Sequence, residues 1–147
     1  MRRLLVVLLS VLHLVSAPAF ADNPMYFSAK KVAINGYDPV AYFLDRKPVR
    51  GTASYRVMWK GVVWHFSSAS NQARFEANPR AYAPKYGGYC AYAMSLGYTN
   101  STRPDAWHIH EGRLYFTHSP QIRQLWAQDI PGNITRADSH WPDVLRR

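Results

Sequence analysis

Apolar and polar residues alternate along four short segments, which predicts two β-hairpins. The segments are residues 54–59 paired with 62–66, and residues 107–110 paired with 114–117. Lys60-Gly61 and Glu111-Gly112 stand between the partners, where a tight turn favours glycine. Successive side chains of a strand point to opposite faces, so each hairpin is expected to bury one face.

Residues that can cap a helix N-terminus mark the start of two predicted helices. Asp38 precedes Pro39, and proline fits the first turn of a helix. Ser67 or Ser68 begins the second helix, which is expected to run to about Ala77. A proline two positions later ends it, because the residue before a proline avoids the helical region.

Two more helices are predicted after the second hairpin. Ser119 and Pro120 repeat the capping pattern. Pro131-Gly132 is expected to separate this helix from the last one. The apolar residues at helical spacing are Ile122, Leu125 and Trp126 in the first of these helices, and Ile134, Ala137 and Trp141 in the second.

The order of these elements predicts a small single α+β domain. Hairpins and helices follow one another in segregated groups, so two β-hairpins are expected to pack against short helices. Residues 22–34 are expected to be a loose N-terminal lead, and residues 35–147 to form the domain with a C-terminal helical extension.

The first residues have the pattern of a cleavable export signal. Arg2 and Arg3 precede a short apolar run, and an A-x-A site ends at Ala21. A Sec-type signal over residues 1–21 predicts a periplasmic or secreted bacterial protein. The alternative is a retained membrane anchor, but the apolar run is short for a membrane span. No other stretch predicts a span, so none is expected after cleavage.

Composition narrows the possible partners. The formal net charge is +9, yet the basic residues are scattered and form no stripe for nucleic acid. The chain has one cysteine, Cys90, so it has no internal disulfide. Five Trp and ten Tyr supply apolar area for a core instead. No hydrolase pattern or phosphate loop is present, so the sequence does not indicate an enzyme.

Several motifs resemble the YHS-domain family in its exported branch. They occur in order over roughly residues 35–142. They are N-G-Y-D-P-V-A-Y-F at 35–43, W-H-F-S-S at 64–68, F-E-A-N-P at 75–79, Y-G-G-Y-C-A at 86–91 and A-W at 106–107. The resemblance implies a treble-clef-like core, in a family that often accompanies copper and heavy-metal transport.

The resemblance also implies where metal-binding cysteines would stand. In the metal-handling forms these positions hold cysteines, and here they hold Ala41, Ser67 and Asn71. A multi-thiolate zinc or copper site is therefore not expected. Some exported members carry selenocysteine in place of a cysteine. Cys90 is the only candidate for that position here, and the resemblance would then imply redox or soft-metal chemistry at it.

Cys90 is the redox candidate on chemical grounds as well. It follows Gly87-Gly88, and glycines allow a ligand to approach the backbone closely. If Cys90 begins a helix, the free amides would favour its thiolate. The alternative is a buried cysteine that packs as a small apolar residue.

Three further residues are candidate metal ligands beside Cys90. Met94 lies four positions later, so on a helix it would share the face of Cys90 and could join it in holding Cu(I). His108 and His110 alternate along a strand, so their rings are expected on one side. The candidate cofactor is copper or another soft transition metal. The alternatives are a core methionine and a solvated strand face.

Tyrosines crowd around the diglycine and suggest a ligand pocket. Its candidate residues are Gly87, Gly88, Tyr89 and Tyr92. Two functions therefore remain open. In the first, Cys90 binds a soft metal or performs thiol redox chemistry. In the second, a non-enzymatic module binds a small ligand or a periplasmic protein through an aromatic surface, and the cysteine is structural.

Overall fold

The first predicted hairpin forms one side of a four-stranded sheet. The computed structural model describes residues 23–146, so the predicted export signal lies outside the described residues. β1 (Ser28–Ala29) and β2 (Val32–Ala33) precede β3 (Thr52–Trp59) and β4 (Val62–Phe66). The strand order is β1-β2-β4-β3; β3 runs antiparallel to β4, and β2 parallel to it. The hairpin is as predicted, except that β3 begins two residues earlier, beyond a register shift.

The N-terminal segment is part of this sheet rather than a loose lead. The Phe27 amide donates to the Gly87 carbonyl at 2.8 Å, and the Ile34 amide donates to the Phe27 carbonyl at 3.0 Å. The Tyr26 ring lies 5.3 Å from the Trp64 ring. The expectation of a loose lead is therefore wrong over residues 23–34. The Phe27–Gly87 pair and the Tyr26–Trp64 contact are long-range, so local composition did not indicate them.

The second hairpin has the predicted position. β5 (Trp107–His110) pairs antiparallel with β6 (Arg113–Phe116), so β6 begins one residue earlier than expected. Phe116 also bridges to Cys90 in a parallel sense, which attaches the diglycine segment to this hairpin.

Six helices lie among the described residues, and the predicted serine caps are present. The Ser68 hydroxyl accepts from the Asn71 amide at 3.1 Å, and the Ser119 hydroxyl from the Ile122 amide at 3.2 Å. The helices are α1 (Ala41–Leu44), α2 (Ala69–Ala77), α3 (Pro79–Tyr82), α4 (Ala91–Ser95), α5 (Pro120–Ala127) and α6 (Ile130–His140). None of them is long and apolar enough to cross a bilayer.

The expected break at Pro131-Gly132 is wrong. α5 ends before Gln128, and Asp129 caps α6 by accepting from the Gly132 amide at 3.0 Å. Pro131 therefore lies in the first turn of α6, where its missing N–H removes no helical hydrogen bond.

Two apolar clusters form the core, and β6 joins them. Leu114 and Phe116 belong to the cluster under the four-stranded sheet, with Trp64 and Phe75. The residue between them, Tyr115, belongs to the cluster under α4, α5 and α6. Alternation along one strand thus packs both clusters into one domain, and the predicted α+β class is confirmed.

Candidate functional site

Ala41, Ser67 and Asn71 surround one buried carboxylate, that of Asp38. Asp38 is fully buried. Its Oδ1 accepts from the Val40 amide at 2.8 Å and the Ala41 amide at 3.3 Å. Its Oδ2 accepts from the Ser67 amide at 2.8 Å, the Ser67 hydroxyl at 2.7 Å and the Asn71 side-chain amide at 2.7 Å.

This network links α1, the end of β4 and α2 through hydrogen bonds. An ionised carboxylate accepts but does not donate, and here both oxygens have donors. The prediction that Asp38 caps the first helix, with Pro39 in its first turn, is wrong, because α1 begins at Ala41 and its N-cap is Val40; Oδ1 instead holds the turn that leads into the helix. The convergence of Ser67 and Asn71 on Oδ2 was missed, since these residues lie 29 and 33 positions away.

Cys90 is enclosed in the protein. Its exposed fraction is 1%. It is the N-cap of α4, where Sγ accepts from the Ala93 amide at 3.5 Å. Its own amide donates to the Asn100 carbonyl at 3.1 Å. A reagent could reach this sulfur only after local opening of the segment around α4.

Among the described residues, His108 and His110 do not form a metal-binding group with Cys90. Met94 is fully buried, and its amide donates to the Cys90 carbonyl at 2.9 Å. The His108 and His110 rings share a side of β5, 6.5 Å apart, as the alternation predicts. Over residues 23–146, no three His, Cys, Asp or Glu residues are grouped so that they could hold a metal ion.

His108 is part of the second apolar cluster's edge. Its ring lies 5.5 Å from the Trp126 ring in an edge-on arrangement. Burial lowers the pKa of His108, and the neighbouring His110 and Arg123 lower it further. The neutral imidazole is therefore favoured over a wider pH range than in an exposed histidine.

The N-terminal segment of the chain, and not an open ligand pocket, lies against the diglycine Gly87-Gly88. Gly87 and Gly88 have positive φ values of 61° and 84°. A Cβ at Gly87 would lie 1.9 Å from the Met25 carbonyl oxygen. The Tyr89 hydroxyl donates to the Pro24 carbonyl at 2.8 Å. The tyrosine at position 92 packs at the edge of the second cluster. These four pocket candidates thus contact the N-terminal segment and the core.

An open cavity lies beside the N-terminal segment, and neither Gly87, Gly88, Tyr89 nor Tyr92 lines it. Its volume is about 360 Å³. It is bounded by the N-terminal segment, the β3–β4 turn, α3 with the residues after it, and the start of β6. The residues that line it include Tyr26, Trp59, Lys60, Arg80, Pro84 and Arg113. None of them was a site candidate in the sequence, because their positions span most of the domain.

The charge of this cavity has one sign. Lys60, Arg80 and Arg113 line it, and no acidic residue does so in the described part of the chain. The Nε of Arg113 is buried and has no hydrogen-bond partner there. Burial raises the pKa of Tyr26, while the charges of Arg113 and Arg80 partly oppose that rise.

Known proteins offer no further guide to these sites. No family model, curated protein or solved structure matches the chain.

Proposed function

We propose that this chain is an exported, non-enzymatic binding module of the YHS type in which Cys90 is structural. The burial of Cys90 carries the proposal. Cys90 is 1% exposed and its sulfur already accepts a backbone hydrogen bond, whereas Cys90 does not line the open cavity. Reactive and redox-sensing cysteines are partly exposed, whereas buried ones pack as small apolar residues.

The Asp38 network supports the YHS part of the proposal. Ala41, Ser67 and Asn71 meet at one carboxylate, as positions that share a metal site in relatives would have to meet. Here hydrogen bonds take the place of thiolate–metal bonds. The domain is then held together without metal at the place where metal-handling members would bind it.

Thiol redox or soft-metal chemistry at Cys90 is the second candidate function. Its support is the position of Sγ at the start of α4, where the Ala93 amide donates to the sulfur. Met94 follows on the same short helix and is the candidate second ligand for Cu(I). Either reaction would require α4 to open first, because both side chains are buried.

Alkylation of the thiol distinguishes the two functions. We expect iodoacetamide near neutral pH to leave the native protein unmodified, and to modify Cys90 fully in denaturant. We also expect Cys90→Ala to lower the free energy of unfolding by about 1–2 kcal/mol, through the lost cap and a small void. Cys90→Ser should lose less, since its hydroxyl can accept from the Ala93 amide.

The opposite results would support the second function. These are rapid alkylation of the native protein, an unchanged stability of Cys90→Ala, or copper that co-purifies with the native chain and is absent from that variant. The stability measurements are urea titrations followed by tryptophan fluorescence.

Export is tested at the N-terminus. The A-x-A site predicts cleavage between Ala21 and Asp22. N-terminal sequencing of protein recovered from the bacterial periplasm should therefore begin at Asp22. An Ala21→Lys variant is the control and should accumulate uncleaved. Recovery of the unaltered protein with Met1 still present would contradict the prediction.

A further inference from the structure

We infer that the open cavity binds a small organic anion, with its carboxylate or phosphate group at Arg113, Arg80 and Lys60 and a flat apolar body against Trp59 and Tyr26. This names the ligand class for the binding module proposed above, and it rests on that proposed function. The cavity volume of about 360 Å³ lies at the small end of the roughly 300–1,000 Å³ typical of ligand pockets.

The positive charge of the cavity favours an anionic ligand. Three cationic side chains from the β3–β4 turn, α3 and β6 line one concavity. The ion pairs of the described residues involve other basic residues, so none of these three is paired with a carboxylate there. Cations gathered in a cleft with apolar walls raise the local concentration of anions.

The guanidinium of Arg113 also lacks an acceptor, since its Nε has no hydrogen-bond partner. A buried N–H without an acceptor is rare in folded proteins, and each instance calls for an explanation. A guanidinium donates in a planar fork that fits a carboxylate or a phosphate. This Nε is closed to solvent, but the terminal N–H groups of the same guanidinium also make no hydrogen bond within the described residues, and these are the donors that an oxyanion in the cavity would meet.

Two aromatic rings, those of Tyr26 and Trp59, line the cavity and favour a ligand with a flat apolar part. The Tyr26 and Trp59 rings lie 5.5 Å apart and both contact Trp64, which holds them in place. Pro84 adds an apolar contact surface. Because burial raises the pKa of Tyr26, its hydroxyl stays protonated at neutral pH and can donate to an anion. The ligand class is therefore an aromatic or similarly flat carboxylate or phosphate.

Calorimetric titration of the exported protein with four probes tests the ligand class. The probes are phenyl phosphate, benzoate, benzyl alcohol and benzylamine, which share a ring and differ in charge. We expect at least one anion to bind, and to bind more weakly as salt is added, because salt screens the cations. The relative affinity of phenyl phosphate and benzoate identifies the preferred anionic group. We expect the neutral and cationic probes to bind at least about tenfold more weakly.

Variants test the place of binding. Arg113→Met keeps the apolar stem and removes the guanidinium, so anion affinity should fall at least about tenfold. Its thermal midpoint without ligand should be unchanged or higher, because an unpartnered buried donor is removed. A merely structural arginine would instead lower the midpoint. Arg80→Met, an exposed position on α3, should also weaken binding. Arg74→Met is the matched control, an exposed arginine on α2 outside the cavity, and should bind like the unaltered protein.

Three results would overturn the inference: no anion binding at millimolar probe, equal binding of benzylamine, or unchanged affinity in both cavity variants. With Cys90 still protected from alkylation, each result would remove the anion site and leave the proposed binding module standing. A reactive Cys90 would remove that proposal and leave an observed anion site standing.

Discussion

At the scale of single residues, the buried carboxylate of Asp38 accepts five hydrogen bonds. A buried carboxylate is costly unless donors replace the water that it loses. Asp38 receives five such donors, three from backbone amides and two from the Ser67 and Asn71 side chains. These bonds fix three chain segments relative to one another, so this residue stabilises the domain through geometry that only an acceptor can satisfy.

Asp38→Asn tests that role. An amide offers one acceptor oxygen, and its NH₂ group would face donors on the other side. We expect the free energy of unfolding to fall by about 3 kcal/mol, because several buried donors lose a charged acceptor. Asp45→Asn is the control, since Asp45 is exposed just after α1. Urea titrations of both variants measure the difference, and equal stabilities would contradict the structural role.

At the scale of elements, the N-terminal segment is held by the diglycine. The Phe27 amide pairs with the Gly87 carbonyl, and the Met25 carbonyl lies where a Gly87 side chain would be. The segment held in this way places Tyr26 against the first apolar cluster, and Met25 and Tyr26 line the cavity. Gly87 therefore allows the residues just before β1 to pack against it.

Gly87→Ala and Gly112→Ala form a matched pair for this packing. Both positions have positive φ, which costs an alanine about 1–2 kcal/mol. A Cβ at Gly112 meets open space, whereas at Gly87 it collides with the Met25 backbone. We expect Gly112→Ala to lose about 1 kcal/mol of unfolding free energy and Gly87→Ala at least about 3 kcal/mol. Denaturant titrations measure both losses. Similar losses would show that the N-terminal segment is not seated on Gly87.

At the scale of the whole molecule, side-chain packing joins the domain without a disulfide. The only cysteine is buried and free, so no disulfide can form within the chain. Two aromatic-rich clusters share β6, whose alternating residues face each of them. Both clusters should therefore unfold together.

Chelator and reductant test this source of stability. EDTA and dithiothreitol are expected to leave the thermal midpoint nearly unchanged, since the single cysteine forms no internal disulfide and the described residues contain no group of three His, Cys, Asp or Glu for a metal ion. Differential scanning calorimetry measures the midpoint with and without each reagent. A large drop in EDTA, restored by added metal, would reveal a structural metal and contradict the prediction.

Much of the secondary structure could be predicted because its causes are local. The two hairpins follow from alternation and a glycine turn, and the Ser68 and Ser119 caps form hydrogen bonds three residues ahead. Where a competing local signal existed, the prediction failed. Pro131-Gly132 looked like a break, but the capping carboxylate of Asp129 made the same residues the first turn of α6.

The candidate sites depended on contacts that only the tertiary structure decides. The sequence identified Cys90 as chemically distinct, but its burial results from packing against distant segments. The cavity was not foreseen, since Tyr26, Arg80 and Arg113 are separated along the chain and meet only in the fold. Periodicity and caps are set within a few residues, and the sequence alone determined them. Burial, charge convergence and an unpartnered donor depend on which distant surfaces meet, and folding alone determines that.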